Sequence, residues 1–238
     1  MQLALLQVND DEETFLIDTL AIDNPKESAS FLFADTVLKI FHSCKEDVEA
    51  IYAWTNQEMV NIFDTQIANA FLDSDFSISY QSLVEKELGI NLDKKETRSN
   101  WMRRPLSESQ LKYAALDVEY LIHLYRLQKQ QLSNTSKLSW HDQDVKRLLE
   151  MTFIERTNSV ELDRTISKVQ EAEMLSRFSK VVEEISRREK INPTLFFSKK
   201  SQKDFLRLVL KVGLDSACKE ITLWRSELIK DKMLNILK

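Results

Sequence analysis

The spacing of apolar and polar residues changes along this chain, and the change predicts two regions of different structure. Residues 3–8 and 14–18 are β-rich runs on either side of an acidic turn, a pattern that favours a hairpin. Pro25 suits the first turn of a helix over residues 25–32, and residues 37–41 form a third β-rich run. The first 41 residues therefore predict the order β-β-α-β.

A helix with an acidic first turn is predicted directly after the third strand. Ser43 and Glu46 have the spacing of a capping box, in which each side chain satisfies a free backbone donor at a helix start. Asp47 then lies in the first turn of that helix. A short strand over residues 61–63 and a helix over residues 64–72 follow.

Two further helices complete the first region. Gly89 is suited to the left-handed position that ends a helix over residues 79–88. Apolar residues recur at i+3 and i+4 spacing across residues 107–130 and predict one amphipathic helix. Strands mixed with helices on this scale indicate an α/β domain.

Beyond residue 132 the β signals almost vanish. Residues 133–137 are small and polar and predict a linker. The remaining periodicity predicts five helices, over residues 142–153, 163–188, 193–197, 201–212 and 215–237. We therefore expect a second, helical domain on a long connecting helix.

The composition is that of a soluble globular protein, with 43% hydrophobic and 30% charged residues. Cys44 and Cys218 are far apart and belong to no metal-binding or disulfide pattern. Met1 begins no secretory signal, and no apolar run approaches the roughly 20 residues that a membrane helix needs. We expect a cytoplasmic protein that does not bind membranes.

Charge is distributed unevenly along the chain. Residues 1–100 carry 19 acidic and 7 basic side chains, whereas residues 101–238 carry 19 acidic and 26 basic ones. An acidic region that could hold cations and a basic region that could contact phosphates suit a nucleic-acid enzyme. Ordinary variation of a solvated surface would give the same imbalance.

Three side chains are candidates for chemistry. Tyr113 and Asp117 are four residues apart, so they share one face of the predicted helix, and a carboxylate beside an apolar seam needs a partner such as a metal ion. A simpler explanation of the same spacing is a polar pair that faces the solvent and binds no metal. Asp47 is a second carboxylate at the end of an element, although the helix dipole alone favours an acidic residue there.

Blocks of residues in a fixed order add a resemblance to a known family. Residues 41–49, 63–66 and 92–101, followed by the block from Arg104 to Val118, are similar to successive motifs of ribonuclease D. The resemblance covers nearly all of residues 1–130. It implies a ribonuclease H-like α/β fold and a 3'-5' exoribonuclease activity on tRNA precursors or other structured RNAs.

The same resemblance implies the roles of individual residues. Four carboxylates of such a site hold two divalent metals, Mg2+ or Mn2+, which activate water and stabilise the leaving oxygen. Asp117 would bind metal directly, Asp47 would support the second metal through water, and Tyr113 would orient the attacking water. The remaining predicted residues would contact the substrate; they are His42, Lys94 and Arg104.

The C-terminal region resembles the last helical domain of ribonuclease D, which is of the HRDC type. This gives a division into an exonuclease domain over residues 1–132, a helical connector over residues 133–165 and an HRDC-like domain over residues 166–238. A group of basic residues there would contact RNA phosphates or would simply be a solvated surface. Its members are Arg187, Arg188, Lys190, Lys199, Lys200 and Lys203.

One motif of the family has no counterpart in this sequence. The family's first motif is an Asp-x-Glu on a strand that precedes the hairpin, and Asp18, the nearest candidate, is followed by Leu20 at the glutamate position. We therefore expect an exonuclease domain without its first strand and an impaired nuclease. The missing motif has three explanations. The sequence is a fragment of an active enzyme, which we favour, or it is a degenerate homologue, or another chain supplies the strand. The alternative functions are a catalytically inactive nucleic-acid-binding homologue and a DNA-directed 3'-5' exonuclease.

Overall fold

A β-hairpin formed by β1 (Leu6–Asn9) and β2 (Thr14–Ile17) opens the fold, as the sequence predicts. Its acidic turn is held by Asp10, whose carboxylate accepts hydrogen bonds from the backbone N–H groups of Glu12 and Glu13. Aspartate commonly stabilises turns in this way. The description comes from a computed structural model that covers residues 2–73, 77–92, 99–153 and 167–237.

The helix predicted over residues 25–32 is two short pieces. They are α1 (Pro25–Ser28) and a 3-10 turn (Ser30–Phe33). Ala29 separates them, with its N–H bonded back to the carbonyl of Pro25. The strand that follows is shorter than predicted.

A parallel β-α-β unit comes next. Strands β3 (Lys39–Phe41) and β4 (Ile62–Asp64) pair in parallel, and α2 (Lys45–Thr55) connects them. Parallel strands need such a crossover. Helix α3 (Thr65–Leu72) begins directly after β4, so Asp64 lies between a strand end and a helix start.

The helix predicted over residues 107–130 is broken near its middle. It consists of α5 (Glu108–Glu119) and α6 (Leu121–Asn134). The Tyr80 hydroxyl lies at the break, where it accepts from the N–H of Tyr120 and donates to the carbonyl of Leu116. Tyr80 is the first residue of α4 (Tyr80–Leu88), which ends at left-handed Gly89 as predicted.

The described residues divide into two compact units, residues 1–68 with 77–134 and residues 69–76 with 135–238. The first contains all the strands named above. One core cluster of buried side chains in this unit comprises Tyr80, Leu83, Val84, Leu92, Leu121 and Leu124.

The second unit is helical. Its helices are α7 (Leu138–Phe153), α8 (Lys168–Glu189), α9 (Pro193–Phe197), α10 (Lys199–Val212), α11 (Leu214–Cys218) and α12 (Leu223–Ile236). The single helix predicted over residues 215–237 is therefore two. Aromatic rings fill the core of this unit, with Trp140 stacked on Trp224 at 4.9 Å between ring centroids. Within the described part of the chain, no helix is both long and apolar enough to cross a bilayer.

Candidate active site

A groove of about 650 Å³ in the first unit brings together the two predicted metal-binding carboxylates. Asp47 reaches it from the first turn of α2, and Asp117 reaches it from α5. Apolar side chains, among them Ile51 and Leu121, form much of the remaining lining. Two acidic groups from separate elements therefore border one mostly apolar groove.

The surroundings of Asp47 weaken its acidity. The residue as a whole is exposed, but its carboxyl borders the groove, where the surrounding protein restricts hydration. This desolvation, together with the negative charges of Asp64 and Glu46, raises the pKa of Asp47 to about 6. A cation beside this group would relieve the cost of ionising it.

Asp64 fixes the start of α2, a role that was not predicted from the sequence. Its side chain is fully buried and accepts hydrogen bonds from the N–H groups of Ser43 and Cys44 at 3.2 and 2.7 Å. It also accepts from Gln66 and Ile67 in the first turn of α3. One carboxylate thus satisfies donors at two helix starts.

The capping box predicted from Ser43 and Glu46 is wrong. Cys44 is the residue before α2 and makes no capping bond with its side chain, and Ser43 has a left-handed backbone with φ of 64°. Asp64 takes over the capping role from 20 residues away. Local sequence could have flagged Asp64 only as a possible cap for α3, because acidic residues are common before helices.

His42 is held by two hydrogen bonds within the protein. Its Nδ1 lies 2.9 Å from the Thr65 hydroxyl, and its Nε2 lies 3.0 Å from the carbonyl of Ile78. Only a protonated Nε2 can donate to that carbonyl. Burial lowers the pKa of His42, which favours the neutral ring. Its predicted role in substrate binding stays a prediction.

Tyr113 and Asp117 lie together on α5, as their spacing predicts. Both line a smaller pocket of about 370 Å³, in which the rings of Trp101 and Tyr113 are 6.1 Å apart. Desolvation raises the pKa of Asp117 to about 6. The phenol and the carboxyl can therefore act on the same small volume.

All three guanidinium nitrogens of Arg104 donate hydrogen bonds within the protein. Its Nε and Nη2 donate to both oxygens of Asp18 at 2.6 Å, and the guanidinium also donates to the carbonyls of Ala4, Trp101 and Arg103. The pair lowers the pKa of Asp18. The predicted contact of Arg104 with substrate stays a prediction, and Lys94 lies outside the described residues.

Comparison with known proteins shows the family of this chain. A model of a 3'-5' exonuclease family matches residues 1–132. The chain belongs to that 3'-5' exonuclease family. Among members with curated names, ribonuclease D of Pseudomonas paraeruginosa is 40% identical over 136 residues, which are 57% of this chain and 36% of that protein. This confirms the resemblance to ribonuclease D that the sequence blocks indicate.

Solved structures of other proteins show the same fold. Escherichia coli RNase D, an exoribonuclease involved in structured RNA processing, has a TM-score of 0.63 at 22% identity, over 99% of this chain and 64% of that one. Brucella melitensis NrnC with bound Mg2+ has a TM-score of 0.58 at 21% identity, over 70% of this chain and 83% of that one. The predicted α/β exonuclease fold followed by a helical region is confirmed.

The chain spans about a third to just under half of the length of curated ribonucleases D that it matches, with 36%, 38%, 41% and 46% of four of them covered. The carboxylates of this exonuclease-family chain fit a divalent metal by chemistry, since hard cations prefer oxygen ligands. Among the residues that the structure describes, no group of three or more acidic, histidine or cysteine side chains is arranged to hold a metal ion. Asp47 and Asp117 can therefore supply only part of a ligand set.

Proposed function

We propose that this chain acts as a metal-dependent 3'-5' exoribonuclease of the ribonuclease D type, trimming the 3' ends of structured RNAs such as tRNA precursors. The observation that supports it most is the placement of Asp47 and Asp117, from two separate helices, on the same groove. The names of the relatives favour RNA over DNA as substrate. The two buried free thiols, Cys44 and Cys218, are in keeping with a reducing compartment such as the cytoplasm.

Mg2+ or Mn2+ is the proposed cofactor. Asp47 and Asp117 would hold it, because Mg2+ is commonly bound by one or two carboxylates together with water and substrate phosphate. A bound ion of this kind supplies a polarised phosphate and a water of lowered pKa. The Mg2+ in the Brucella melitensis NrnC structure supports this choice.

The chain's own side chains would prepare the site for that chemistry. Tyr113, one turn from Asp117 on α5, would orient the attacking water through its hydroxyl. The apolar lining of the groove restricts hydration around both carboxylates, which strengthens their attraction to a cation. Both carboxyls have a pKa of about 6, so in the absence of metal each is half ionised near that pH and becomes mostly ionised as the pH rises above it.

The second unit would hold the body of the RNA, and we propose that residues 166–238 form the HRDC-like domain of the enzyme. The basic residues predicted to contact phosphates are exposed at the end of α8 and at the start of α10. Exposed lysine and arginine side chains grouped in this way attract phosphates over a distance that depends on salt.

Metal binding provides the first test. We expect the affinity for Mn2+, followed by electron paramagnetic resonance at about pH 7.5, to fall by about tenfold or more in Asp117→Asn, because a direct carboxylate ligand is removed. Glu119→Gln is the matched control, since Glu119 lies on the same helix and is exposed. Equal affinities for the two variants would contradict the role of Asp117.

Release of nucleotides from RNA labelled at its 3' end provides the second test. With Mn2+ and an excess of protein, we expect slow release that EDTA stops and that falls by about 100-fold or more in Asp117→Asn. A DNA strand of matched sequence should be cut more slowly. Tight RNA binding without any release would favour the inactive nucleic-acid-binding alternative.

A further inference from the structure

The smaller pocket beside Asp117 contains an indole ring for which the proposed chemistry has no use. This pocket of about 370 Å³ is called the Trp101 pocket below, and its lining residues are Ala4, Leu5, Gln7, Trp101, Tyr113 and Asp117. They come from the start of the hairpin, from the turn before α5 and from α5 itself. Pockets of this size that combine apolar walls with a few polar groups are common sites for small ligands.

Trp101 does not have the surroundings of a tryptophan that only fills a core. Trp224 of the second unit is such a residue, because it is 1% exposed and donates its indole N–H to Asp144 at 2.9 Å. Trp101 is only partly buried, and within the described residues its indole N–H donates no hydrogen bond. A large ring that is neither enclosed nor bonded, and that lines a pocket, is available to a ligand.

Arg104 holds two sides of the Trp101 pocket in place. Its guanidinium donates to the carbonyl of Trp101 at 2.8 Å and to the carbonyl of Ala4 at 2.7 Å. Asn100 adds a second anchor next to Trp101, since its carbonyl accepts a hydrogen bond from the side chain of Gln110 in α5. The walls are therefore positioned before a ligand enters, which lowers the entropy cost of binding it.

The lining suits a flat, uncharged, aromatic ligand. The rings of Trp101 and Tyr113 have centroids 6.1 Å apart and planes inclined by 43°. Gln7 brings an amide that can both donate and accept a hydrogen bond. The described lining includes no basic residue, and the carboxylate of Asp117 disfavours an anion inside the pocket. Bases of single-stranded RNA are commonly bound in this way, by stacking on aromatic side chains and by hydrogen bonds to their edges.

We propose that the Trp101 pocket binds the base of the 3'-terminal nucleotide of the RNA, with Trp101 as the stacking surface and Gln7 as a hydrogen-bonding group. This role rests on the proposed nuclease function. Asp117 lines both this pocket and the groove that Asp47 borders, so a base in the pocket lies beside the proposed metal position. The nucleotide to be released has to lie there, because the bond to be cut joins it to the rest of the RNA. Stacking depends little on the identity of the base, so the pocket should accept any 3' end.

Binding of adenosine tests the pocket without RNA, metal or turnover. Adenosine carries a base and no phosphate, and ribose is the matched probe without a base. In isotope-labelled protein, we expect adenosine to shift the nuclear magnetic resonance signal of the Trp101 indole N–H saturably, and ribose to leave it in place. Loss of this signal in Trp101→Phe assigns it.

Trp54 provides the internal control for the adenosine experiment. It lies on α2 in the same unit, and the described lining of the Trp101 pocket does not include it. Its indole signal should therefore stay in place when adenosine is added. No shift at Trp101, or equal shifts at Trp101 and Trp54, would overturn the proposal.

Abasic RNA tests whether the bound base is the terminal one. In EDTA, which prevents turnover, loss of the 3'-terminal base should weaken RNA binding by about tenfold in fluorescence anisotropy, and so should Trp101→Ala. With Trp101→Ala, the abasic and the complete RNA should bind equally, because the stacking surface is already lost. RNA with an internal abasic nucleotide is the control, and its affinity should still fall by about tenfold on Trp101→Ala. A loss of the same size on Trp101→Ala with and without the terminal base would overturn the proposal.

Failure of the base pocket and failure of the nuclease function give different results. A chain in which adenosine shifts the Trp101 signal and the terminal base strengthens RNA binding, but which never releases nucleotides, would retain the base pocket and lose the proposed function. A chain that releases nucleotides, but shows neither the shift nor any dependence on the terminal base, would retain the function and lose the base pocket.

Discussion

Asp64 shows how much one buried side chain can fix. It lies where a strand, two helix starts and a left-handed residue meet, and it supplies the acceptor for four backbone donors. Through Ser43 and Cys44 it sets where α2 begins, and so where Asp47 stands relative to the groove. Asp64, for which no chemical role is predicted, therefore helps to determine the position of Asp47, a predicted metal ligand.

Replacement of Asp64 should destabilise the fold. We expect Asp64→Ala to lower the free energy of unfolding by about 2 to 4 kcal/mol, because two helix caps are lost and buried donors are left unpaired. Urea unfolding followed by circular dichroism measures this. The exposed Asp23→Ala is the control and should change stability by less than about 0.5 kcal/mol. A loss of the same small size for Asp64→Ala would show that the caps contribute little.

The raised pKa values of Asp47 and Asp117 make stability depend on pH. Both carboxyls have a pKa of about 6 in the folded chain, whereas an unfolded aspartate titrates near about 4. The folded state therefore binds these protons more tightly. The contribution of these two protonated carboxyls to the free energy of unfolding is present in full below about pH 4 and is lost as the pH rises through about 6.

A double variant isolates this effect. Relative to a chain with both Asp47→Asn and Asp117→Asn, the unmodified chain should lose additional free energy of unfolding between about pH 4 and about pH 7. Urea unfolding in metal-free buffer at several pH values gives the comparison. Parallel pH profiles for the two chains would mean that neither carboxyl is perturbed.

At the scale of elements, the break between α5 and α6 depends on a third helix. The Tyr80 hydroxyl, from the first residue of α4, bridges the N–H of Tyr120 and the carbonyl of Leu116. The N–H of Tyr120 also bonds to the carbonyl of Val118, so the Tyr80 hydroxyl adds a second acceptor at the interruption. Asp117 lies within the last turn of α5, so the bridge also limits how far that turn can move.

Removal of the Tyr80 bridge should have a measurable effect on stability and on amide exchange. We expect Tyr80→Phe to lower the free energy of unfolding by about 1 kcal/mol and to speed amide exchange at Tyr120, since the partly buried N–H of Tyr120 loses one of two acceptors and the carbonyl of Leu116 loses a donor. Tyr125→Phe is a suitable comparison, because within the residues that the structure describes the Tyr125 hydroxyl accepts a hydrogen bond only from exposed Lys129. Unchanged exchange at Tyr120 in the Tyr80 variant would contradict the bridging role.

Sequence alone predicted those elements whose signals are local. Gly89 after α4 is a cap formed by the residue itself, and this prediction is confirmed. The cap of α2 and the break at Tyr120 were missed, because Asp64 and Tyr80 act from 20 and 40 residues away. At the candidate site, the spacing of Tyr113 and Asp117 was informative because both lie within one helix.

For the molecule as a whole, the separation of the strands into two pairs affects how the first unit unfolds. No backbone hydrogen bond joins the hairpin to the β3–β4 pair in the described part of the chain, and a lone hairpin is marginally stable in water. Unfolding of this unit should therefore lack full cooperativity. The amides of β1 and β2 should exchange with solvent through a partial opening that costs less free energy than the opening of β3 and β4, and native-state exchange at low denaturant would resolve the two as separate foldons.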